Sequence, residues 1–120
     1  MKLSIAFVLA ALIFSSNAYS QRAGIAGGAG ANSCSDYLTH RQVQEHQQLE
    51  LAYVSWIMGF LTGYNMMSSL PQLNSIPEYS AVISYLDRFC RDNSLLTVSD
   101  ATTCMIGDLG GYRPAKCRMN

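Results

Sequence analysis

The sequence predicts an all-α fold, a small disulfide-stapled helical domain of three main helices plus a short N-terminal one. Three observations carry that expectation. Apolar residues recur at helical spacing in three separate segments, and evidence for strands is thin throughout. All four cysteines, Cys34, Cys90, Cys104 and Cys117, follow an export-type leader. What remains after the leader is about 100 residues, a size at which one core forms and covalent staples help to hold it.

The leader is residues 1–20. Lys2 supplies a positive start, residues 5–14 (IAFVLAALIF) an apolar run, and Ala18 and Ser20 the small residues of a cleavage site. This is the pattern of a secretory signal peptide, too short and wrongly flanked for a spanning helix. Removal of Lys2 with the leader leaves seven Lys/Arg against eight Asp/Glu. Without a basic run, nucleic acid binding lacks its electrostatic driving force, and no basic helix is present to lie on a membrane. The expectation is therefore no nucleic acid partner and no membrane attachment after cleavage.

Residues 21–33 (QRAGIAGGAGANS) are rich in Gly, Ala and Ser without periodicity and read as a flexible arm. The helical domain is placed at residues 34–120, ending in a tail pinned by a cysteine. Ser35 is the expected N-cap of a short polar helix, in which Asp36 and His40 stand one turn apart and can pair.

The central segment, residues 51–67 (LAYVSWIMGFLTGYNMM), carries no charge. Leu49, Tyr53, Trp56, Phe60, Tyr64 and Met67 form one helical stripe, and Leu51, Val54, Met58 and Leu61 fill the opposite side. A helix that is apolar all round is expected to be buried as the core. Gly59 and Gly63 sit one turn apart, and each costs helix stability, so close approach of another helix is expected there, with a homodimer seam as the second choice.

Residues 68–77 (SSLPQLNSIP) break the helix and form the longest internal loop, the first place to seek a recognition surface. Ser75 and Glu78 have capping-box spacing ahead of the next helix, whose inner face is Tyr79, Val82, Ile83, Leu86, Phe89 and Cys90. Asp87, Arg88, Arg91 and Asp92 form its wet side. Thr97 and Asp100 cap a last helix with Val98, Ala101, Met105 and Leu109 on one face, and Gly110-Gly111 stops it.

An even cysteine count in an exported chain points to two disulfides. Zinc is disfavoured, because no CxxC pair exists and His40 and His46 are not at ligand spacing from any cysteine. Four cysteines allow three pairings, which the sequence alone does not separate. The pairing chosen is Cys34–Cys90 with Cys104–Cys117: the helical stripe brings Cys90 to the core side, and Cys117 pins the tail.

Two motifs carry a family resemblance. One is W-x-x-G-[FY]-x-x-G-[YF], here Trp56, Gly59, Phe60, Gly63 and Tyr64. The other is [WY]-[LI]-[DE]-x-[YF]-C-x-x-[NH]-[PS]-L, here residues 85–95 with Cys90. Together with a cysteine opening a short polar helix, they make residues 34–109 resemble the Rap/Tai family, small exported helical proteins that protect bacteria from type VI secretion amidase effectors. Ser94 stands where the family commonly has proline, and Cys104 and Cys117 look like an added pair.

The resemblance implies a periplasmic immunity protein whose partner is a cell-wall amidase, occluded sterically, with no cofactor and no metal. Trp56, Gly59, Phe60, Gly63 and Tyr64 are then core and helix-packing residues, so the motif marks no partner-binding residue. An enzyme is not expected: the sequence holds no HExxH, no phosphate loop and no nucleophile–base pair. The alternatives are a periplasmic acid-stress chaperone similar to HdeA, and an envelope protein tied to a secretion or conjugation system.

Overall fold

The computed structural model describes residues 25–44 and 46–118. The leader lies outside the described residues. Among the described residues four helices are formed: α1 (Cys34–His40), α2 (His46–Met67), α3 (Tyr79–Asp92) and α4 (Val98–Asp108), with 3-10 turns at Gly28–Ala31 and Ala115–Arg118. The one extended contact among the described residues is an isolated bridge between Ser33 and Thr97. The fold is all-α, and both predicted disulfides are present, Cys34–Cys90 and Cys104–Cys117. They span 56 and 13 residues. In the chain-entropy account such closures contribute about 4 and about 3 kcal/mol. No helix among the described residues is long and apolar enough to cross a membrane.

Helix starts follow the local chemistry. α1 is capped by Ser33, not Ser35. Ser33 Oγ accepts from the Asp36 amide at 3.0 Å, and the Asp36 carboxylate accepts from the Ser33 amide. Asp36 is thereby committed to the cap, and His40 turns instead to Tyr53 (Nδ1 to Oη, 2.7 Å), so the expected Asp36–His40 pair is replaced. The first amides of α1, on Cys34 and Ser35, donate to Leu96 and Ser94 carbonyls in the α3–α4 connection. At α4 the predicted Thr97–Asp100 capping box is formed. At α3 the Ser75 box is not: Glu78 is the N-cap in extended conformation, without a side-chain cap, and the helix begins at Tyr79.

The end of α4 shows why glycine stands there. Gly110 has φ +94°, a conformation that a side chain disfavours. It lets the Gly111 amide reach the Ile106 carbonyl at 2.9 Å, closing the last turn as a Schellman motif.

The core is one cluster contributed by all four helices, including Tyr37, Ile57, Leu61, Val82, Leu86, Val98 and Met105. α2 enters it through Tyr53, Val54, Ile57 and Leu61. This corrects the expectation of a helix buried all round. The predicted stripe sits at the edge of the buried face: Tyr53 is buried and Trp56 and Tyr64 are half-buried, but Leu49, Phe60 and Met67 are exposed, as is Leu51. The reason is size. α2 has 22 residues, whereas α3 and α4 have 14 and 11, and they cover one face of it.

Two further expectations change. Gly59 and Gly63 face open space, with no atom of the described residues near the place a Cβ would occupy, so none of the described helices packs there. The close approach is at Gly30, where a Cβ would overlap the Trp56 ring. Residues 28–33 are accordingly folded onto α2 rather than left as an arm: Gly30 is buried against Trp56, and Asn32 Nδ2 donates to Tyr53 Oη at 2.7 Å.

Candidate protein-binding surface

The connection between α2 and α3, residues 68–78, has an unusual course. Near the end of α2, Tyr64 Oη donates to the Pro71 carbonyl at 2.8 Å. At the other end of the connection, Tyr79 Oη donates to Glu50 Oε1, also at 2.8 Å. Glu50 and Tyr64 lie about 21 Å apart along α2 at the helical rise per residue. The connection therefore runs back along α2.

Side chains of α2 hold it in place. Asn65 Oδ1 accepts from the Leu73 amide at 2.8 Å, and its backbone carbonyl accepts from Gln72 Nε2 at 2.9 Å. Tyr64 Oη also accepts from the Tyr112 amide at 2.8 Å, coupling the connection to the segment after α4. The Asn74 amide donates to the Leu109 carbonyl. Leu73 is the apolar anchor, buried in the core cluster.

The exposed part of the connection sets the apolar Leu70, Pro71 and Ile76 among the polar Ser69, Gln72, Asn74, Ser75 and Glu78. Leu70 is 45% and Ile76 38% exposed, and at the end of α2 Met66 and Met67 are 77% and 86% exposed. Single exposed apolar residues are ordinary on a protein surface. Here four of them, Leu70, Ile76, Met66 and Met67, lie on or beside one segment whose Pro71 carbonyl and Leu73 amide are fixed by side chains of α2. Such a surface can bury its side chains in a partner with little ordering cost.

A second group of side chains is polar. Arg41 bonds both Asp87 and Glu50; Tyr37 Oη donates to Asp87 at 2.8 Å; His46 lies 3.8 Å from Glu50. Burial alone would raise the Asp87 carboxyl, but the hydrogen bonds from Arg41 and Tyr37 and the charges of Arg41 and Arg91 outweigh it and hold the carboxyl below its ordinary value. Burial, then the bond to Asp87, pushes the Tyr37 phenol well up, so it remains a donor. The network ties α1 to α2 and α3, and each carboxylate in it is spent as an acceptor. Among the described residues no three of His, Cys, Asp and Glu gather as a metal site.

The motif residues divide between these roles. Trp56 lies beneath Gly28 and Gly30 and stacks on Phe60 with ring centroids 5.3 Å apart, and Phe60 keeps 39% of its surface in water. Tyr64 organises the connection through its hydroxyl. Gly59 and Gly63 lie on the open side of α2. Sequence reasoning missed Asn65 as the clamp of the connection and placed Asp87 on the wet face of α3. Neither carries a signal within one helical turn: Asn65 acts on a residue eight positions on, and Asp87 on one 46 positions back.

No protein-family model matches the chain. Comparison with curated proteins and with solved structures likewise finds no significant match.

Proposed function

We propose that the protein is an exported, periplasmic binding protein of the immunity type, which neutralises a type VI secretion cell-wall amidase by occluding its active site. The observation that carries this reading is the connection 68–78, a ridge strapped to α2 by Tyr64 and Asn65 that exposes Leu70 and Ile76. A pre-fixed ridge fills a substrate cleft sterically, and Leu70 with Met66 and Met67 supplies the apolar surface to be buried. The two disulfides suit an oxidising compartment. The Trp56–Tyr64 and Cys90 motifs support the family reading.

The test is co-expression of a neighbouring amidase gene, directed to the periplasm, with and without this protein. The wild type is expected to restore growth and to co-purify with the amidase, and Leu70→Asp to lose both with helix content unchanged. Lysis that proceeds equally with the wild-type protein present would sink the reading.

An acid-stress chaperone is the second reading, favoured by Asp87 and Asp100. Both carboxyls sit in ion pairs that join separate elements and are held below their ordinary value, so strong acid removes both ties at once.

A further inference from the structure

A cleft of about 430 Å³ opens between the second half of α3, α4 and the 3-10 turn of the tail. No residue of the connection 68–78 lines it, so it is separate from the ridge. Arg88, Arg113, Lys116 and Arg118 line it, against Asp92 and Asp108. Two of these cations are engaged, Arg113 with Asp108 and Lys116 with Asp100. Arg88 and Arg118 have no ion-pair partner among the described residues, and Asp92 is the only lining carboxylate outside an ion pair there. The balance left in the cleft is positive.

Apart from Asn93, the remainder of the lining is aromatic, aliphatic or disulfide. Tyr85 and Phe89 stack with centroids 6.2 Å apart and planes at 14°. Arg88 lies over the Tyr85 ring, 5.9 Å from its centroid, and Tyr85 Oη is fixed by Asp108 at 3.1 Å. The Cys104–Cys117 disulfide lines the cleft and holds the tail as its wall. Guanidinium groups pair with carboxylate and phosphate alike, but two of them without an ion-pair partner among the described residues, set beside aromatic rings and a disulfide, suit an anion carried on a short apolar stem, as a carboxylate side chain is.

We propose that this cleft binds an acidic peptide segment, with a glutamate or aspartate side chain held between Arg88 and Arg118. The site is independent of the amidase reading, because it uses no residue of the ridge. The experiment titrates the protein with a hexaglutamate peptide and follows backbone amide NMR signals. Saturable shifts at Arg88, Phe89 and Arg118 are expected. Affinity should fall about tenfold or more in the Arg88→Gln/Arg118→Gln variant, as loss of charge-assisted bonds requires. Arg91→Gln, a cation outside the cleft, should leave it unchanged. Arg88 and Arg118 are exposed, so the double substitution spares the core. The proposal is overturned by an absence of saturable shifts, by equal binding to the double variant, or by the same shifts from inorganic phosphate at equal concentration.

Discussion

Arg41 grips the Asp87 carboxylate with two hydrogen bonds, Nε to Oδ1 at 3.1 Å and Nη2 to Oδ2 at 3.2 Å. The residues lie 46 positions apart, and their bond fastens the end of α1 to α3. Tyr37 completes the cage around the same carboxylate. Asp87→Ala leaves a half-buried guanidinium and a buried phenol short of their acceptor and is expected to cost about 1–3 kcal/mol. Tyr37→Phe, which removes one donor, should cost about 1 kcal/mol. Urea unfolding of the two variants measures both; equal stability of Asp87→Ala and wild type would show the cage to be energetically idle.

Acid should loosen the protein through a pair of sites. At Asp100, burial would raise the carboxyl, but bonds from Lys116 and from the Thr97 backbone and side chain hold it low, as Arg41 and Tyr37 do for Asp87. For both groups the folded pKa lies below the unfolded value, about 3.9 for a free aspartate. Their stabilisation is therefore fully present above that value and is lost as pH falls through the folded pKa. The denaturation midpoint should be flat near neutrality and drop steeply in strong acid, and Asp87→Asn/Asp100→Asn should lower the neutral plateau and flatten the drop. A client-aggregation assay at about pH 2–3, where carboxylates are neutralised, then separates an acid chaperone from a binding protein that merely unfolds.

The glycines predict opposite signs. Gly30→Ala drives a methyl group into the Trp56 ring and is expected to destabilise by about 1–3 kcal/mol or to detach residues 28–33. Gly59→Ala meets nothing among the described residues and removes backbone entropy from the unfolded chain, so it should stabilise by about 0.5–1 kcal/mol. Thermal unfolding reads both. A Gly59→Ala variant that instead loses stability with protein concentration held constant, and sediments as a smaller species, would reveal a second copy of the chain pressed against that face.

The connection 68–78 should owe its order to α2. Asn65→Ala removes the acceptor for the Leu73 amide, and Tyr64→Phe removes the bridge between Pro71 and Tyr112. Hydrogen exchange at Leu73 and Tyr112 should quicken selectively in these variants, at a global cost of about 1 kcal/mol each. Exchange rates unchanged at both amides would mean that the connection is held by packing of Leu73 alone.

What could be read from the sequence is what is local or covalent. Thr97 and Asp100 announce their helix because a capping box spans four residues, and Gly110 announces its end because only a positive φ closes that turn. That the four cysteines form two disulfides was legible, but the sequence left three pairings open, and the structure selects Cys34–Cys90 and Cys104–Cys117. The orientation of α2 was hidden because apolar residues surround it, so periodicity names no inner side, and only the limited reach of α3 and α4 selects Ile57 and Leu61 over Phe60. The cage around Asp87 was hidden for a different reason. Arg41 sits in a polar stretch and Asp87 among charged neighbours, and nothing nearby distinguishes a paired aspartate from a solvated one.

The packing of Gly28 and Gly30 over Trp56 gives the protein a built-in optical probe. Trp56 is the sole tryptophan, and part of its cover comes from the segment that directly precedes the first disulfide-bonded cysteine. Its emission consequently reports whether residues 28–33 are seated on α2, while circular dichroism reports the helices. A red shift that precedes loss of helix during unfolding would mark the departure of that segment as a separate step.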